Sequence, residues 1–405
     1  MSRSRRLSWG LLDQILSSAS NVLVVFAVAR VSGIDEFGLI SLLIVVLTTA
    51  VAIGRGTLGT PLLLSGHEAA DEQQRHAGYA LSVALASGVG VALVVLLVGG
   101  SVGRPLVAIP LAVAAPLVLA QDTLRFAAFG RGDQVQAVWS DGLWAAISLV
   151  ALAVTWFWRD LLSPAQVLWA WVSGALLALS VLLWRHGVRP RIAGLGTWWT
   201  TSAAHRVRYG LEAGIGATSA LVVVLIASQL IDAGSVAALR GAGTLMGPLS
   251  ILFSAIPLVV VPEAVRHGDP RRTWRLLWRA ATLMSAAALT FGLASLLVPA
   301  AWGELLLGDS WSVVAPLLPF TGWEYAALAW VSVCYTALRA EQRSQALLSL
   351  RVVHASTSIL LAAAAAATGG TARAVSIALA VTASVVAVAA VGSVRMRLRS
   401  NTALG

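Results

Sequence analysis

Charged side chains interrupt several long apolar stretches of this chain, and a charge in such surroundings is costly unless it has a partner or a function. Nine residues share this setting: Asp13, Arg30, Arg55, Asp122, Arg125, Asp141, Glu212, Arg240 and Glu324. Guanidinium groups hold phosphate oxygens through paired hydrogen bonds, so the four arginines favour a phosphate-bearing ligand. The five acids slightly outnumber the four arginines, which leaves internal neutralisation of the arginines as the alternative.

Helical spacing places some of these residues on common faces. Asp13, Ser17 and Asn21 recur at every fourth position and therefore share one face of a helix. Asp122 and Arg125 stand three residues apart, which lets them pair with each other on a helix. For these two we predict a structural ion pair or a gate near the cytoplasmic edge, and a contact with substrate stays open.

The polar positions continue through the rest of the chain. Asp141 lies in the fifth apolar stretch, and Arg240 lies in the eighth, ahead of Pro248 and Pro257. The two prolines are expected to interrupt the helix and to free backbone carbonyls, which then need partners in protein or water. Glu324 lies deepest among the polar groups of the tenth stretch.

Because polar stripes occur in both halves of the chain, we predict a central cavity shared by two lobes. Asn21 and Asp141 are candidate substrate-binding residues of that cavity, and Glu324 is a candidate gating or coupling group. Such a cavity between helical lobes is a common place for a transported ligand.

The composition identifies the surroundings in which these groups must act. Of the 405 residues 58% are hydrophobic and 11% are charged, and the mean hydropathy is +0.83. These values exclude an ordinary soluble domain and indicate an all-α integral membrane protein. The formal net charge of +10 does not indicate nucleic-acid binding, because the basic residues lie at the ends of apolar stretches, where anionic lipid headgroups would meet them.

Cysteine and histidine usage offers no metal or cofactor site. The lone Cys334 lies in an apolar stretch, so neither a disulfide framework nor a cysteine metal site is expected. No histidine cluster has the spacing of metal ligands. We therefore expect no cofactor and no catalytic residue.

Apolar stretches of about 20 residues, the length that crosses a bilayer, number about twelve. We place the first six near 11–31, 37–56, 77–99, 105–127, 136–158 and 163–184. The second six lie near 208–230, 235–262, 276–299, 313–338, 347–368 and 373–394. We expect an amino-terminal lobe at 1–200, which includes a cytoplasmic linker, and a carboxy-terminal lobe at 201–405.

Arginine crowds into every second break between the apolar stretches, beginning with the amino terminus and ending with Arg395, Arg397 and Arg399. Because arginine-rich loops stay on the cytoplasmic side, this alternation predicts an even number of crossings with both termini in the cytoplasm. Six crossings return the chain to its starting side, so the two lobes would be parallel repeats. The expected location is the inner, cytoplasmic membrane.

Several segments resemble a known family once the repeats are recognised. They are Asp13–Asn21, the Val-Ala-Arg30 ending of the first span, the Gly33–Gly38 turn, the Leu124–Arg131 stretch, Asp141–Trp144 and Gly247–Pro248. Together they resemble the signature of the Wzx-type oligosaccharide and polysaccharide flippases. These flippases belong to the multidrug/oligosaccharidyl-lipid/polysaccharide (MOP) exporter superfamily.

The resemblance implies two six-helix lobes, an alternating-access cycle and a substrate made of a glycan on a polyprenyl diphosphate. It implies that Arg30, Arg55 and Arg240 contact the diphosphate or the sugar, and that Asp13 and Glu212 act in gating or coupling. The implied partners are the lipid-linked oligosaccharide, membrane lipids, and a polysaccharide polymerase or glycosyltransferases of the same route. The chain departs from the family in its short loops and its lack of lysine, which leaves the glycan and the coupling ion open.

Two other functions compete with this one. A multidrug exporter of the same superfamily would need acids that arginine does not oppose, and Asp13 with Glu212 could serve a cationic substrate. An intramembrane polyprenyl-dependent glycosyltransferase or polymerase generally needs a large outer loop with catalytic carboxylates, whereas the outer loops here are short. We therefore predict a transporter and not an enzyme.

Overall fold

The computed structural model describes residues 3–231, 233–267, 269–307 and 311–403. Within these ranges, the side chains of 3–7, 34–35, 38, 159, 228, 233–234, 236–237, 270, 304–307 and 397–403 lie outside the description. Over the described ranges the chain is helical and contains no strand. The all-α architecture expected from composition is therefore confirmed.

The first nine helices are, in chain order, α1 (Arg3–Val31), α2 (Ile34–Gly54), α3 (Thr60–Leu64), α4 (Ala70–Ser101), α5 (Pro105–Arg131), α6 (Gln134–Trp158), α7 (Pro164–His186), α8 (Leu195–Thr201) and α9 (Ala203–Leu230). The remaining ones are α10 (Ala233–Leu245), α11 (Gly247–His267), α12 (Pro270–Ala294), α13 (Ala300–Leu307), α14 (Trp311–Val314), α15 (Leu318–Ala340), α16 (Ser344–Gly369) and α17 (Ala372–Ala403).

Helix ends follow local sequence chemistry. Ser163 begins α7 with a capping box, in which its hydroxyl accepts the Gln166 N–H and the Gln166 side chain accepts the Ser163 N–H. Gly132 and Gly187 end α5 and α7 in the left-handed region at φ +83° and +60°, a conformation that glycine adopts without steric cost. These caps fix where the chain reverses between neighbouring long helices.

Eleven helices of the described ranges are long and apolar enough to cross a membrane. They correspond to the predicted spans except the tenth, whose counterpart α15 is not among the eleven. The proline, tryptophan, tyrosine and glutamate residues of α15 reduce its hydropathy. The eighth predicted span is divided, because a turn at Met246 separates α10 from α11. Pro257 lies inside α11 without ending it, so only the break ahead of Pro248 interrupts this span.

The chain divides into two compact units, Met1–Gly214 and Ile215–Gly405. In unit 1, α5 packs against α4 and α7, while α6 packs against α1 and α7. Its core is mostly aliphatic, with Leu43, Leu81 and Leu111 fully enclosed. In unit 2, α15 packs against α12, α17 and α11. The division falls within α9, after the boundary that the sequence suggested at residue 200.

The segment between α7 and α9 is fastened to α4 within unit 1. The Arg191 N–H donates to the Gly78 carbonyl at 3.2 Å, and the Trp198 indole N–H donates to His76 Nδ1 at 2.6 Å. A Cβ on Gly78 would lie 2.7 Å from the Arg189 carbonyl oxygen, so glycine permits this close approach. Its predicted cytoplasmic location, like that of both termini, stays a prediction.

Candidate functional site

Three helices of unit 1 bring their polar faces together around one arginine. Helix α1 contributes Asp13, Gln14 and Ser17, α5 contributes Gln121, Asp122 and Arg125, and α6 contributes Ser140 and Asp141. We call these eight side chains, together with Arg55, the ion network. The spacing of Asp13 and Ser17 on α1 and of Asp122 and Arg125 on α5 directs each pair to one side of its helix.

Arg125 is the centre of the ion network. Its Nε donates to Asp13 Oδ2 at 2.9 Å and lies 3.3 Å from Asp141 Oδ2. Its Nη1 donates to Asp122 Oδ1 at 2.8 Å, and further bonds reach Ser17 and Gln14, both at 3.1 Å. Only 1% of the side chain is exposed. Three carboxylates therefore replace the water that would otherwise solvate this guanidinium, and such pairing compensates for the burial of its charge.

Neutral side chains hold the acids of the network in place. The Gln121 amide donates to Asp141 Oδ1 at 2.7 Å and to Ser140 Oγ at 3.0 Å. Ser140 in turn donates to the Ala178 carbonyl of α7 at 3.0 Å. The network is therefore anchored on four helices, and a rotation of any of them would disturb its hydrogen bonds.

Arg55 connects the ion network to the surface of unit 1. Its Nε and Nη2 donate to both oxygens of Asp122 at 2.8 to 3.2 Å, while 34% of its side chain remains exposed. This two-pronged contact is the geometry with which arginine also binds phosphate. Asp122 thus lies between two guanidinium groups, one enclosed and one accessible.

A π-helical turn at Arg55–Gly59 sets the position of the accessible arginine. The wider turn ends α2, rotates the chain that follows it, and often marks a functional position in a helix. Its glycines allow close packing: a Cβ on Gly56 would lie 2.1 Å from the Tyr209 carbonyl oxygen, and one on Gly59 would lie 2.6 Å from the Phe126 ring. The Thr60 hydroxyl also donates to the Arg55 carbonyl at 3.2 Å.

The charges of the network do not balance when every group is ionised. Two guanidinium groups face the three carboxylates of Asp13, Asp122 and Asp141. Among the described residues, Asp13 Oδ1 is buried without a hydrogen-bond donor. The network can therefore take up one proton on a carboxylate and become neutral without losing an arginine contact.

Two of the predicted substrate contacts lie apart from the network. The Arg30 guanidinium lies over the Trp156 ring at 4.0 Å, which is a cation–π contact. The exposed Asn21 donates its amide to the Ser17 carbonyl at 2.9 Å. Asp141, also predicted to bind substrate, is enclosed by Gln121 and Arg125. The substrate-binding roles of all three stay predictions.

The remaining candidates are distributed over other helices. Glu212 lies on α9 and is buried, within the part of that helix that belongs to unit 1. In unit 2, Arg240 on α10 is exposed and Glu324 on α15 is partly buried. Their roles, and the central cavity predicted for the two lobes, stay predictions.

Sequence reasoning anticipated the pairing of Asp122 with Arg125 but missed the extent of the network. It did not identify Gln121 or Ser140, and it did not connect Arg55 with Asp122. In unit 2, the Tyr335 hydroxyl lies 3.2 Å from His354 Nδ1, a contact that the sequence analysis did not include among the candidate sites. Arg351 lies over the Tyr335 ring at 4.1 Å. The adjacency of Gln121 and Asp122 within an apolar stretch was an available signal for the first omission.

No family model matches the chain, and no curated protein matches it in sequence. Solved structures do match. A multidrug resistance MATE family transporter of the MOP superfamily, in an outward-facing conformation, is 13% identical, with a TM-score of 0.77 and coverage of 100% of this chain and 98% of that one. The Vibrio cholerae MATE transporter VcmN is 15% identical, with a TM-score of 0.81 and 98% coverage of both chains.

A third match is a MOP superfamily transporter from Pyrococcus furiosus, whose binding pocket is described as reversed in polarity, suggesting a different function. It is 14% identical, with a TM-score of 0.78 and coverage of 99% of this chain and 97% of that one. All three alignments extend over nearly the whole length of both partners, so the likeness is one of complete architecture. The chain has the fold of the MATE transporters of the MOP superfamily.

Proposed function

We propose that this chain is a MOP superfamily transporter of the Wzx type, which moves a polyprenyl-diphosphate-linked glycan across the cytoplasmic membrane by alternating access. The fold is that of transporters in this superfamily, and the helices have the length and composition of membrane spans. The substrate class is the new element, and it rests on the charges of unit 1.

The observation that carries the proposal is the setting of Arg55. Every carboxylate of the ion network contacts a guanidinium, so the accessible part of the network is a cation and not an acid. A diphosphate offers the same paired oxygens that Asp122 now presents to Arg55. Unit 1 is therefore better suited to an anionic headgroup than to a cationic drug.

Competition at Arg55 supplies a way to couple binding to the interior. When a diphosphate takes the Arg55 guanidinium, Asp122 keeps only its 2.8 Å contact with Arg125. Without Arg55, the negative charge of Asp122 is balanced by Arg125 alone, which must then also balance Asp13 and Asp141. This excess of negative charge favours uptake of a proton at Asp13. Asp13 is in this proposal the coupling group of unit 1, while Glu212 and Glu324 are proposed gating groups.

The other proposed contacts follow from position. Arg240 is an exposed cation on α10 of unit 2, so it is available to a second part of an anionic ligand. Arg30 is a proposed contact of the diphosphate or the sugar, and Asn21 and Asp141 are proposed contacts of the glycan. All three would first have to leave their present partners. A polymerase or glycosyltransferases would act before or after the transport step as partners.

A multidrug exporter is the second candidate, and the MATE transporters among the structural matches favour it. A cationic drug needs a carboxylate that no arginine opposes, and partly buried Glu324 on α15 is the candidate for that role. On this alternative, Glu324 would carry substrate affinity and Arg55 would contribute only to the stability of unit 1.

Proteoliposome assays separate the two functions. In one arm a fluorescent polyprenyl-diphosphate disaccharide is exposed to a membrane-impermeant quencher, and in the other a cationic dye is extruded. We expect headgroup translocation in wild type, its loss in Arg55→Gln, and its retention in Arg185→Gln. The control removes an exposed arginine that lies over Trp184 at 5.1 Å.

Arg55→Lys tests the geometry of the contact, because lysine keeps the charge but not the paired donors. We expect reduced translocation in this variant at normal protein stability. Dye extrusion that depends on Glu324, together with no translocation of the disaccharide, would establish the drug exporter instead.

A further inference from the structure

A row of unpaired arginines marks the beginning of α12 in unit 2. Four of them fall within nine residues of a candidate membrane span: Arg271, Arg272, Arg275 and Arg279. All four side chains are exposed, and none makes a side-chain hydrogen bond or ion pair within the described ranges. Such a concentration of free positive charge on one helix is costly unless a negative partner approaches it.

Two other arginines near helix ends pair with an acid of the protein. Arg75 on α4 donates to Glu72 at 2.7 Å, and Arg343, just ahead of α16, lies 3.3 Å from Glu341. The first turn of α12 contains no acid. Asp269 caps the helix by accepting the Arg272 backbone N–H at 3.0 Å. Within the described ranges, therefore, no acidic side chain of the protein pairs with the arginine row.

Tryptophans fix the level of this surface in the bilayer. Trp274 and Trp278 lie one turn apart on α12, and Trp278 packs edge-on against Trp330 of α15 with ring centroids 4.4 Å apart. The exposed Arg395 of α17 lies over the Trp278 ring at 4.3 Å. Tryptophan prefers the boundary between hydrocarbon and headgroups, so a fifth cation joins the row at that level.

The row is longer than the headgroup layer is thick, and arginine side chains can bridge the difference. Eight residues of helix separate Arg271 from Arg279, or about 12 Å along the axis. The headgroup region is roughly 6 Å thick on each side of a bilayer, and arginine side chains extend along apolar surface to keep their charge in that region. All four guanidinium groups can therefore reach lipid phosphates, and a 12 Å row is longer than a single diphosphate requires.

We infer that the arginine row of α12, with Arg395 and the neighbouring indole rings of Trp274, Trp278 and Trp330, is a binding site for anionic phospholipid headgroups. The lipid phosphates and glycerol headgroups supply the missing negative charge, and the indole rings pack against the upper acyl chains. The site is independent of the proposed transport substrate. It predicts that this chain selects phosphatidylglycerol over phosphatidylcholine.

Native mass spectrometry of the full chain released from detergent tests the site. Titrations use phosphatidylglycerol, phosphatidylcholine and a short polyprenyl diphosphate. The site variant is Arg271→Gln/Arg275→Gln/Arg279→Gln, and the matched control is Arg185→Gln/Arg189→Gln/Arg191→Gln, which removes the same charge from exposed arginines of unit 1.

We expect phosphatidylglycerol affinity to fall on the order of 100-fold in the site variant, because each of the three replaced arginines should contribute about fivefold to the affinity. The control should remain within about threefold of wild type, and phosphatidylcholine binding should not change in either. A lysine version of the site variant should stay within about tenfold of wild type, because charge dominates headgroup attraction.

Three results would overturn the inference. Equal losses in site and control variants would indicate a general charge effect, and unchanged phosphatidylglycerol binding in the site variant would remove the site. A loss confined to the polyprenyl diphosphate would assign the row to a different lipid. Thermal unfolding of each variant is measured alongside, and the exposed positions predict midpoints close to that of wild type.

Discussion

The two units of this chain hold their helices together with different kinds of polar contact. In unit 1, Arg125 joins acids of three helices, and Arg55 extends that contact to the surface. In unit 2, the contacts between helices include neutral pairs. The Trp323 indole donates to Ser384 at 3.0 Å, and the hydroxyls of Ser250 and Tyr325 lie 3.4 Å apart.

This difference contrasts an ionic cluster in unit 1 with neutral hydrogen bonds between helices of unit 2. Removing one member of a buried ionic cluster leaves an uncompensated charge, whereas removing a neutral hydrogen bond costs little. Unit 1 is therefore expected to respond strongly to changes of single charges in this cluster and to proton uptake, and unit 2 to tolerate the loss of these neutral contacts. The predictions below test that contrast in order of decreasing effect.

Replacement of the central arginine should have the largest effect. Arg125→Met leaves the carboxylates of Asp13 and Asp141 buried without their guanidinium partner, which should lower the free energy of unfolding by about 3–5 kcal/mol. Chemical denaturation in detergent, followed by near-ultraviolet circular dichroism, measures the loss. Adding Asp13→Asn to this variant should recover part of it, because one buried charge is removed. A loss below about 1 kcal/mol would show that the network is not a structural centre.

Glycine packing provides the test in which the two units should not differ. A Cβ added at Gly59 of unit 1 would lie 2.6 Å from the Phe126 ring, and one added at Gly322 of unit 2 would lie 2.8 Å from the Ala288 carbonyl oxygen. Gly59→Ala and Gly322→Ala should each lower the free energy of unfolding by about 1–3 kcal/mol, because both overfill a helix contact. A much larger loss in unit 1 alone would mean that its sensitivity comes from tighter packing and not from charge.

The sequence predicted the helices of this fold better than the contacts between them. Long apolar stretches determine where α4 to α7 run, because membrane-spanning length is a local property. The pairing of Asp122 with Arg125 was also local, since three residues on one helix bring them together. Both features could be derived without knowing which helices are neighbours.

The rest of the ion network depends on packing. Arg125 meets Asp13 across 112 positions of sequence, and nothing in helical spacing specifies that the Arg125 side chain of α5 reaches α1. Arg55, which bonds to Asp122, also begins a π-helical turn, and such a turn is not visible in the helical spacing of the sequence. The glycines around Arg55 were visible in sequence, but the same pattern also occurs in ordinary close-packed helices.

Loss of the accessible arginine should cost unit 1 much less stability than loss of the enclosed one. In Arg55→Gln, Asp122 retains its contact with Arg125, and the replaced side chain is one-third exposed. The free energy of unfolding should therefore fall by about 1 kcal/mol, measured by the same denaturation experiment, while translocation of the diphosphate substrate is lost. A loss as large as that of Arg125→Met would show that Arg55 acts mainly in the structure and would weaken its proposed role with substrate.

The smallest effect is expected from a neutral contact of unit 2. Ser384→Ala removes the acceptor of the Trp323 indole N–H and also an intrahelical bond from its own hydroxyl to Ala380 at 2.8 Å. Because Trp323 is partly exposed, its N–H can find another partner, and the free energy of unfolding should fall by only about 0.5 kcal/mol. Ser180→Ala, which removes only an intrahelical bond in unit 1, serves as the control and should be nearly silent. A loss of unfolding free energy in Ser384→Ala as large as that in Arg125→Met would contradict this expectation. Neutral hydrogen bonds would then stabilise unit 2 as strongly as ion pairs stabilise unit 1.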